Sequence, residues 1–165
     1  CPCGYYGDLT HNCVCTPGQI QRYMNKISGP LLDRIDIQCE ISPVPFKDIS
    51  KAAPGEPSAR IRERVIRARE IQAERFKDFK GIHCNAQMTE RMIHQFAEPT
   101  EEGINLLRMA MEKLSLSARA YNRILKVART IADLAGSQQV EPQHLAEAIG
   151  YRTLDRGDWA ERGHF

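Results

Sequence analysis

Apolar and polar positions repeat with two different periods along this chain. Over Ile35-Asp36-Ile37-Gln38-Cys39-Glu40-Ile41 the period is two, which predicts a short strand. From Ser58 onward the spacing lengthens to that of a helix. Helices are predicted over 58–78, 89–97, 100–114, 117–136 and 142–150. Ser58, Thr89 and Ser117 are the N-cap candidates, while Thr100 precedes Glu101 and Glu102, which suit the positive end of a helix dipole. Gly136 and Gly150 are the expected stops. Between the two regimes Pro43, Pro45, Pro54, Gly55 and Pro57 interrupt any regular element. The chain therefore divides into a first unit at 1–45, a linker at 46–57 and a helical unit at 58–165. The expected fold class is mainly α.

Two of the helices carry more than a core-facing stripe. In 58–78 the apolar positions are Ile61, Val65, Ala68 and Phe76, and the other faces hold Arg60, Arg62, Arg64, Arg67, Arg69 and Arg75. Over 58–80, eight Lys/Arg against four Asp/Glu leave a charge of +4. In 117–136, Ile124, Val127, Ile131 and Leu134 gather on one side and predict a buried face. Arg119, Arg123 and Lys126 share a different side, an arrangement suited to an anion, with a solvated basic face as the plainer alternative.

Composition narrows the classes. With 23 Lys+Arg against 21 Asp+Glu the net charge is +2, too near neutral for a chain wholly given to nucleic-acid binding. No apolar run approaches the ~18 residues of a membrane span. The Cys-rich, polar start has no signal-peptide pattern. Because Cys1 and not Met opens the chain, it reads as a piece of a longer protein. The phosphate-cradling G-x-x-x-x-G-K-[ST], H-E-x-x-H and G-x-S-x-G motifs are all absent, so a complete active site is not expected here.

Four of the six cysteines form two pairs, Cys1-Pro2-Cys3 and Cys13-Val14-Cys15. Two close pairs around a short glycine-containing loop can gather four thiolates on a tetrahedral Zn²⁺. His11 is a possible substitute ligand. Disulfides fit less well, since nothing signals secretion and C-x-C closes on itself only with strain. Unliganded buried cysteines are the third account. No catalytic carboxylate stands nearby, so any zinc is read as structural. Cys39 and Cys84 are isolated and read as small buried hydrophobes. Tyr5 and Tyr6 could stack on a base or ring, or simply pack against the cysteine site.

Arg34 sits between the Pro30-started turn and the predicted strand, where its guanidinium could project from the subunit edge or pair locally with Asp33 or Asp36. Together the segments Cys1-Pro2-Cys3-Gly4-Tyr5-Tyr6-Gly7-Asp8, Cys13-Val14-Cys15, Arg22-Tyr23 and Ile27 to Asp36 resemble the bacterial magnesium-chelatase-like AAA+ ATPases, in particular their competence-protein group. The stretch Leu116 to Leu134, with Ser117-Ala118-Arg119-Ala120-Tyr121-Asn122-Arg123, is similar to the lid-domain signature of the same family.

The resemblance implies that residues 1–45 are the C-terminal end of an AAA+ α/β core and 58–165 its helical lid. By it, Arg34 matches an arginine finger acting in trans on the neighbouring subunit's ATP. Arg119 matches the sensor-2 arginine, with Arg123 one turn on as second candidate. Walker A, Walker B and the sensor-1 asparagine would precede residue 1, so this piece alone is not expected to hydrolyse ATP, whereas the parent, with ATP and Mg²⁺, is. The Cys1, Cys3, Cys13 and Cys15 set would hold structural Zn²⁺. The implied parent is a cytoplasmic homo-oligomeric ring, a hexamer, that handles DNA by branch migration or unwinding and meets no membrane. The alternatives are the motor subunit of a magnesium-porphyrin chelatase and a non-enzymatic zinc-and-helix interaction module. The +4 helix favours DNA over porphyrin.

Overall fold

Helix α7 (Ala118–Ala135) organises the packing of the helical part, because α4 (Ser58–Phe76), α5 (Glu90–Phe96) and α8 (Pro142–Gly150) all lie against it, and α6 (Glu101–Leu114) packs on α8. The computed structural model describes residues 1–8, 10–39, 41, 44, 46–50, 54–114 and 116–152. Ser117 caps α7 by accepting the Ala120 N–H at 3.1 Å, and Gly136 ends it at φ 72°, a left-handed conformation that glycine adopts without a Cβ clash. Thr89 caps α5 in the same way. The Thr100 hydroxyl accepts the Gly103 N–H at the start of α6. The core gathers Phe76, Met92, Ile93, Leu107, Ile124 and Leu145, each at most 5% exposed. Phe76, Phe79 and Phe96 meet edge to face, with centroids 5.7–6.5 Å apart.

The face that α7 buries is not the predicted one. Ile124 is fully buried, but its buried companions are Leu125, Ala128 and Ala132, while Val127 and Ile131 are partly covered and Leu134 is 48% exposed. The buried arc is turned by roughly one residue's rotation, ~100°. Small alanines admit neighbouring helices closely, and α7 is covered on several sides, so a single stripe of large residues does not define its inside.

The joint between α4 and α7 is polar. Asp133, with a fully buried side chain, accepts from both terminal nitrogens of Arg75, from Arg129 Nε at 3.1 Å and from Asn85 Nδ2 at 2.8 Å. Arg75 also donates to Asn85 Oδ1 at 2.8 Å, and Arg129 to the Ser137 and Gln138 carbonyls. Burial pulls the Arg129 pKa down, against the raising effect of Asp133. Both guanidinium groups thus have a carboxylate partner, the condition under which buried charge is tolerated.

Residues 1–50 contribute α1 (Pro17–Met24), α2 (Gly29–Leu32) and α3 (Phe46–Ser50). Among the described residues of this part, only Ile20 is a buried apolar residue. Several expectations are corrected here. No strand occurs among the described residues of 35–41, and Glu40 lies outside them. A strand needs a neighbour for its ladder. Here the backbone groups go elsewhere: the Gln38 N–H donates to the Tyr151 carbonyl at 2.8 Å, and the Ile35 carbonyl accepts from Arg152 Nη1 at 2.8 Å. The proline-rich linker contains the short helix α3, whose side chains are exposed; Pro43, Pro45 and 51–53 lie outside the described residues, as do 153–165 of the helical unit. Ser58 is the first helical residue, with Pro57 at the N-cap position, and Gly150 is the last, followed by Tyr151 as C-cap. In α4, Ala68 and Phe76 are buried, but Ile61 and Val65 are 42% and 43% exposed, because the helix extends beyond the bundle that covers its second half.

Candidate functional site

The two Cys-x-Cys pairs converge. Gly4 and Gly7, at φ 85° and 82°, supply the left-handed turns that fold the intervening loop back on itself. The four sulfurs lie within 4.8 Å of one another, with Cys1–Cys3, Cys3–Cys13 and Cys13–Cys1 separations of 3.4, 3.5 and 3.7 Å. Tetrahedral zinc with ~2.3 Å Zn–S bonds requires S···S edges of about 3.8 Å, so the donor set fits the ion. The Tyr6 N–H donates to Cys1 Sγ at 3.2 Å. The Tyr5 backbone N–H, helped by Cys15, Cys13 and Val14 and opposed by desolvation, lowers the Cys3 thiol from its usual range to about 7. At Cys13 the Cys15 N–H acts downward, but desolvation, the neighbouring thiols and the charge of Cys3 outweigh it and push the pKa up. All six cysteines are free thiols.

His11 stands outside the cluster. Its ring stacks on Tyr5 at 4.7 Å, and Nδ1 faces Asp8 Oδ2 at 3.2 Å and the Thr10 hydroxyl at 2.8 Å. The tyrosine pair is thus part of the turn that carries the cysteines. The remaining cysteines depart from expectation as well. Cys39 is exposed and Cys84 is half-buried, so neither is a core hydrophobe.

The second region centres on the turn after α2. Arg34 is exposed and donates from Nη1 to the Pro30 carbonyl at 2.7 Å, not to either flanking aspartate. Those aspartates reach the helical part instead. Asp33 Oδ1 accepts from the Ser117 hydroxyl at 2.9 Å and from Arg152 Nη2 at 3.4 Å. Asp36 forms an ion pair with Arg123. Arg119, in the first turn of α7, is exposed and has no hydrogen-bond or ion-pair partner among the described residues. Lys126 donates to the Ala86 carbonyl at 2.9 Å, and partial burial pulls its pKa down against the raising effect of Asp36.

The expected three-cation stripe is therefore divided among three environments, and only Arg119 faces solvent unpaired. Nothing local in the sequence revealed Arg152 as a partner of Asp33, since the two lie 119 positions apart. Arg75, named with the other arginines off the apolar stripe of 58–78, is drawn into the α4–α7 joint by Asp133. On the exposed side of α4, Arg64 pairs with Glu56, while Arg60, Arg62, Arg67 and Arg69 remain at the surface without a carboxylate partner among the described residues. No helix among the described residues is long and apolar enough to cross a membrane.

Residues 1–49 match the family profile described as magnesium chelatase, subunit ChlI, and residues 55–152 match that of the ChlI C-terminal region. The competence protein ComM of Haemophilus influenzae is 44% identical over 156 residues, which cover 94% of this chain and 29% of that protein. The protein YifB of Escherichia coli has the same identity and coverage. Rv2897c of Mycobacterium tuberculosis is 34% identical over 152 residues, 92% of this chain and 29% of its own length. The chain thus spans about three-tenths of the length of these relatives.

Proposed function

The chain belongs to the magnesium chelatase ChlI-like family, and from that premise we propose that it is the C-terminal part of an ATP-binding, ATP-hydrolysing AAA+ ring motor that acts on DNA. The observation that carries this reading is the pair Arg34 and Arg119. Both are exposed, neither is neutralised by a carboxylate among the described residues, and the segments bearing them are joined through Asp33 and Ser117.

Phosphoryl transfer spreads negative charge over the γ-phosphoryl oxygens, and a guanidinium supplied by a neighbour stabilises that charge, an effect of about 10³–10⁵ in rate. Arginine suits the task because it stays protonated and meets phosphate oxygens with a planar fork. Arg34 acts in trans as the finger, and Arg119 acts in cis from the lid on the bound phosphates. An arginine working on a neighbour's nucleotide requires a closed ring, for which a hexamer is the family's expected form. Arg123 is paired with Asp36, which leaves Arg119 as the first sensor-2 candidate and Arg123 as the second.

Cys1, Cys3, Cys13 and Cys15 would hold one Zn²⁺, which supplies folding free energy to the loop and takes no part in hydrolysis. DNA is favoured over a porphyrin by Arg60, Arg62, Arg67 and Arg69, which are exposed on α4 and have no carboxylate partner among the described residues. The similarity to a competence protein agrees with that preference. A DNA motor of this kind works in the cytoplasm.

The test uses the full-length motor. Arg34→Ala should keep ATP affinity within about twofold and lower turnover by about 10³, because its contact is made to transition-state charge. Arg119→Ala should lower both, since a lid contact to bound phosphates acts in ground and transition states alike. Turnover by Arg34→Ala at the wild-type rate would refute the trans finger.

A further inference from the structure

We infer that Asp33, Arg152 and the Asp36–Arg123 pair form a clamp that locks the Arg34 turn to the helical lid, so that lid movement on one subunit's nucleotide repositions the arginine presented to the next. The inference rests on the finger-and-sensor reading above and adds positioning residues to it.

Arg34 itself does little to fix its own turn, since among the described residues its guanidinium holds only the Pro30 carbonyl. Contacts on the residues around it do. At position 33 the carboxylate accepts from Ser117, the N-cap of α7, and from Arg152. At 35 the carbonyl accepts from Arg152 Nη1 at 2.8 Å. At 36 the carboxylate pairs with Arg123, one turn beyond Arg119. At 38 the backbone N–H donates to the Tyr151 carbonyl, and Gln38 is 5% exposed. The turn is thereby bonded on both sides of Arg34 to the start of α7 and to the chain just after α8.

Arg152 is the centre of this arrangement. Its side chain is 1% exposed, and a buried guanidinium is tolerated only with charge and hydrogen-bond partners in good geometry. The fork spans a carboxylate and a carbonyl two residues apart, a geometry that a lysine ammonium cannot reproduce. Arg34 and Arg119 consequently belong to one body. A lid that shifts when Arg119 meets phosphate carries Arg34 with it, and the nucleotide state of one subunit reaches the adjacent active site without a separate moving part.

The experiment measures ATP turnover and ATP affinity in the full-length motor for Arg152→Lys, each also in an Arg34→Ala background. Because a buried substitution can weaken folding, the exposed pair is tested alongside as Asp36→Asn and Arg123→Gln. The expected result is a five- to twentyfold fall in kcat, about the range carried by packed networks, with affinity within twofold. The clamp acts only through Arg34, so the same substitutions should cause no further fall in the Arg34→Ala background. An equal fractional fall in both backgrounds marks a general structural role and overturns the clamp. Wild-type turnover in all three clamp variants, with Arg34→Ala impaired, also overturns it and leaves the motor reading standing. Weakened ATP binding in Arg123→Gln but not in Asp36→Asn makes Arg123 a nucleotide ligand and removes that pair from the clamp. Wild-type turnover in Arg34→Ala overturns the finger and the clamp together.

Discussion

Replacing Asp133 with alanine removes the carboxylate on which the α4–α7 joint turns. Arg75 and Arg129 are 13% and 3% exposed at the side chain, and both lose their anionic partner. Removing one side of a buried ion pair costs about 3–5 kcal/mol. Arg75 keeps Asn85 Oδ1, and Arg129 keeps the Ser137 and Gln138 carbonyls, which places the expected loss near the lower bound, about 3 kcal/mol. With a urea m-value of about 1–3 kcal/mol/M, the unfolding midpoint should fall by roughly 1–3 M. The assay is urea denaturation followed by far-ultraviolet circular dichroism. Asp133→Asn, which keeps the shape and one acceptor oxygen but not the charge, should fall between wild type and Asp133→Ala. Glu56→Ala is the control: it breaks the Arg64 pair, whose side chains are 49% and 38% exposed, and surface pairs contribute about 0–1 kcal/mol. An Asp133→Ala shift no larger than that of Glu56→Ala would refute the argument that this joint depends on buried charge.

Gly103→Ala should destabilise the α6–α8 contact by about 1–2 kcal/mol, since the new methyl would stand 2.8 Å from Leu145 Cδ1 and 3.0 Å from Pro99 Cβ; a raised thermal midpoint would show that the neighbours yield freely. Asp8 is held at about 2, first by the Thr10 hydroxyl and then by the Thr10 and His11 N–H groups, so its stabilisation of the cysteine loop is present above the ordinary value of 3.8 and lost as pH falls through about 2. Carboxyl chemical shifts titrating near 3.8 would contradict that depression. Protein purified without chelator should carry about one zinc per chain, and stripping it should unfold the cysteine loop; a metal-free loop whose amide signals keep their dispersion would count against the site.

Periodicity and capping were enough to locate the five long elements of the helical part. The predicted starts at Thr89, Thr100 and Ser117 and the stop at Gly136 are the caps observed, because a cap is settled by the few residues that contact it. The cysteine pairs were equally legible, since a ten-residue spacing and two glycines suffice to bring the sulfurs together. Arg34 and Arg119 stood out only through resemblance, as spacing gave each a plain alternative.

What the sequence could not decide was where each charge and each exposed face would end up. By its place in the sequence Asp33 is a possible local partner of Arg34, yet it bonds to Ser117 and Arg152, and Asp36 bonds to Arg123. The Ile35–Ile41 alternation promised a strand, but without a neighbouring strand its backbone groups attach to Tyr151 and Arg152. On α7, the large stripe lost the core to Ala128 and Ala132 because neighbouring helices approach where side chains are small. Local periodicity determines which segments become helices, since helix formation depends on contacts within a few residues. Which arginine is left facing solvent depends on carboxylates and carbonyls up to 119 positions away, and only tertiary packing brings those together.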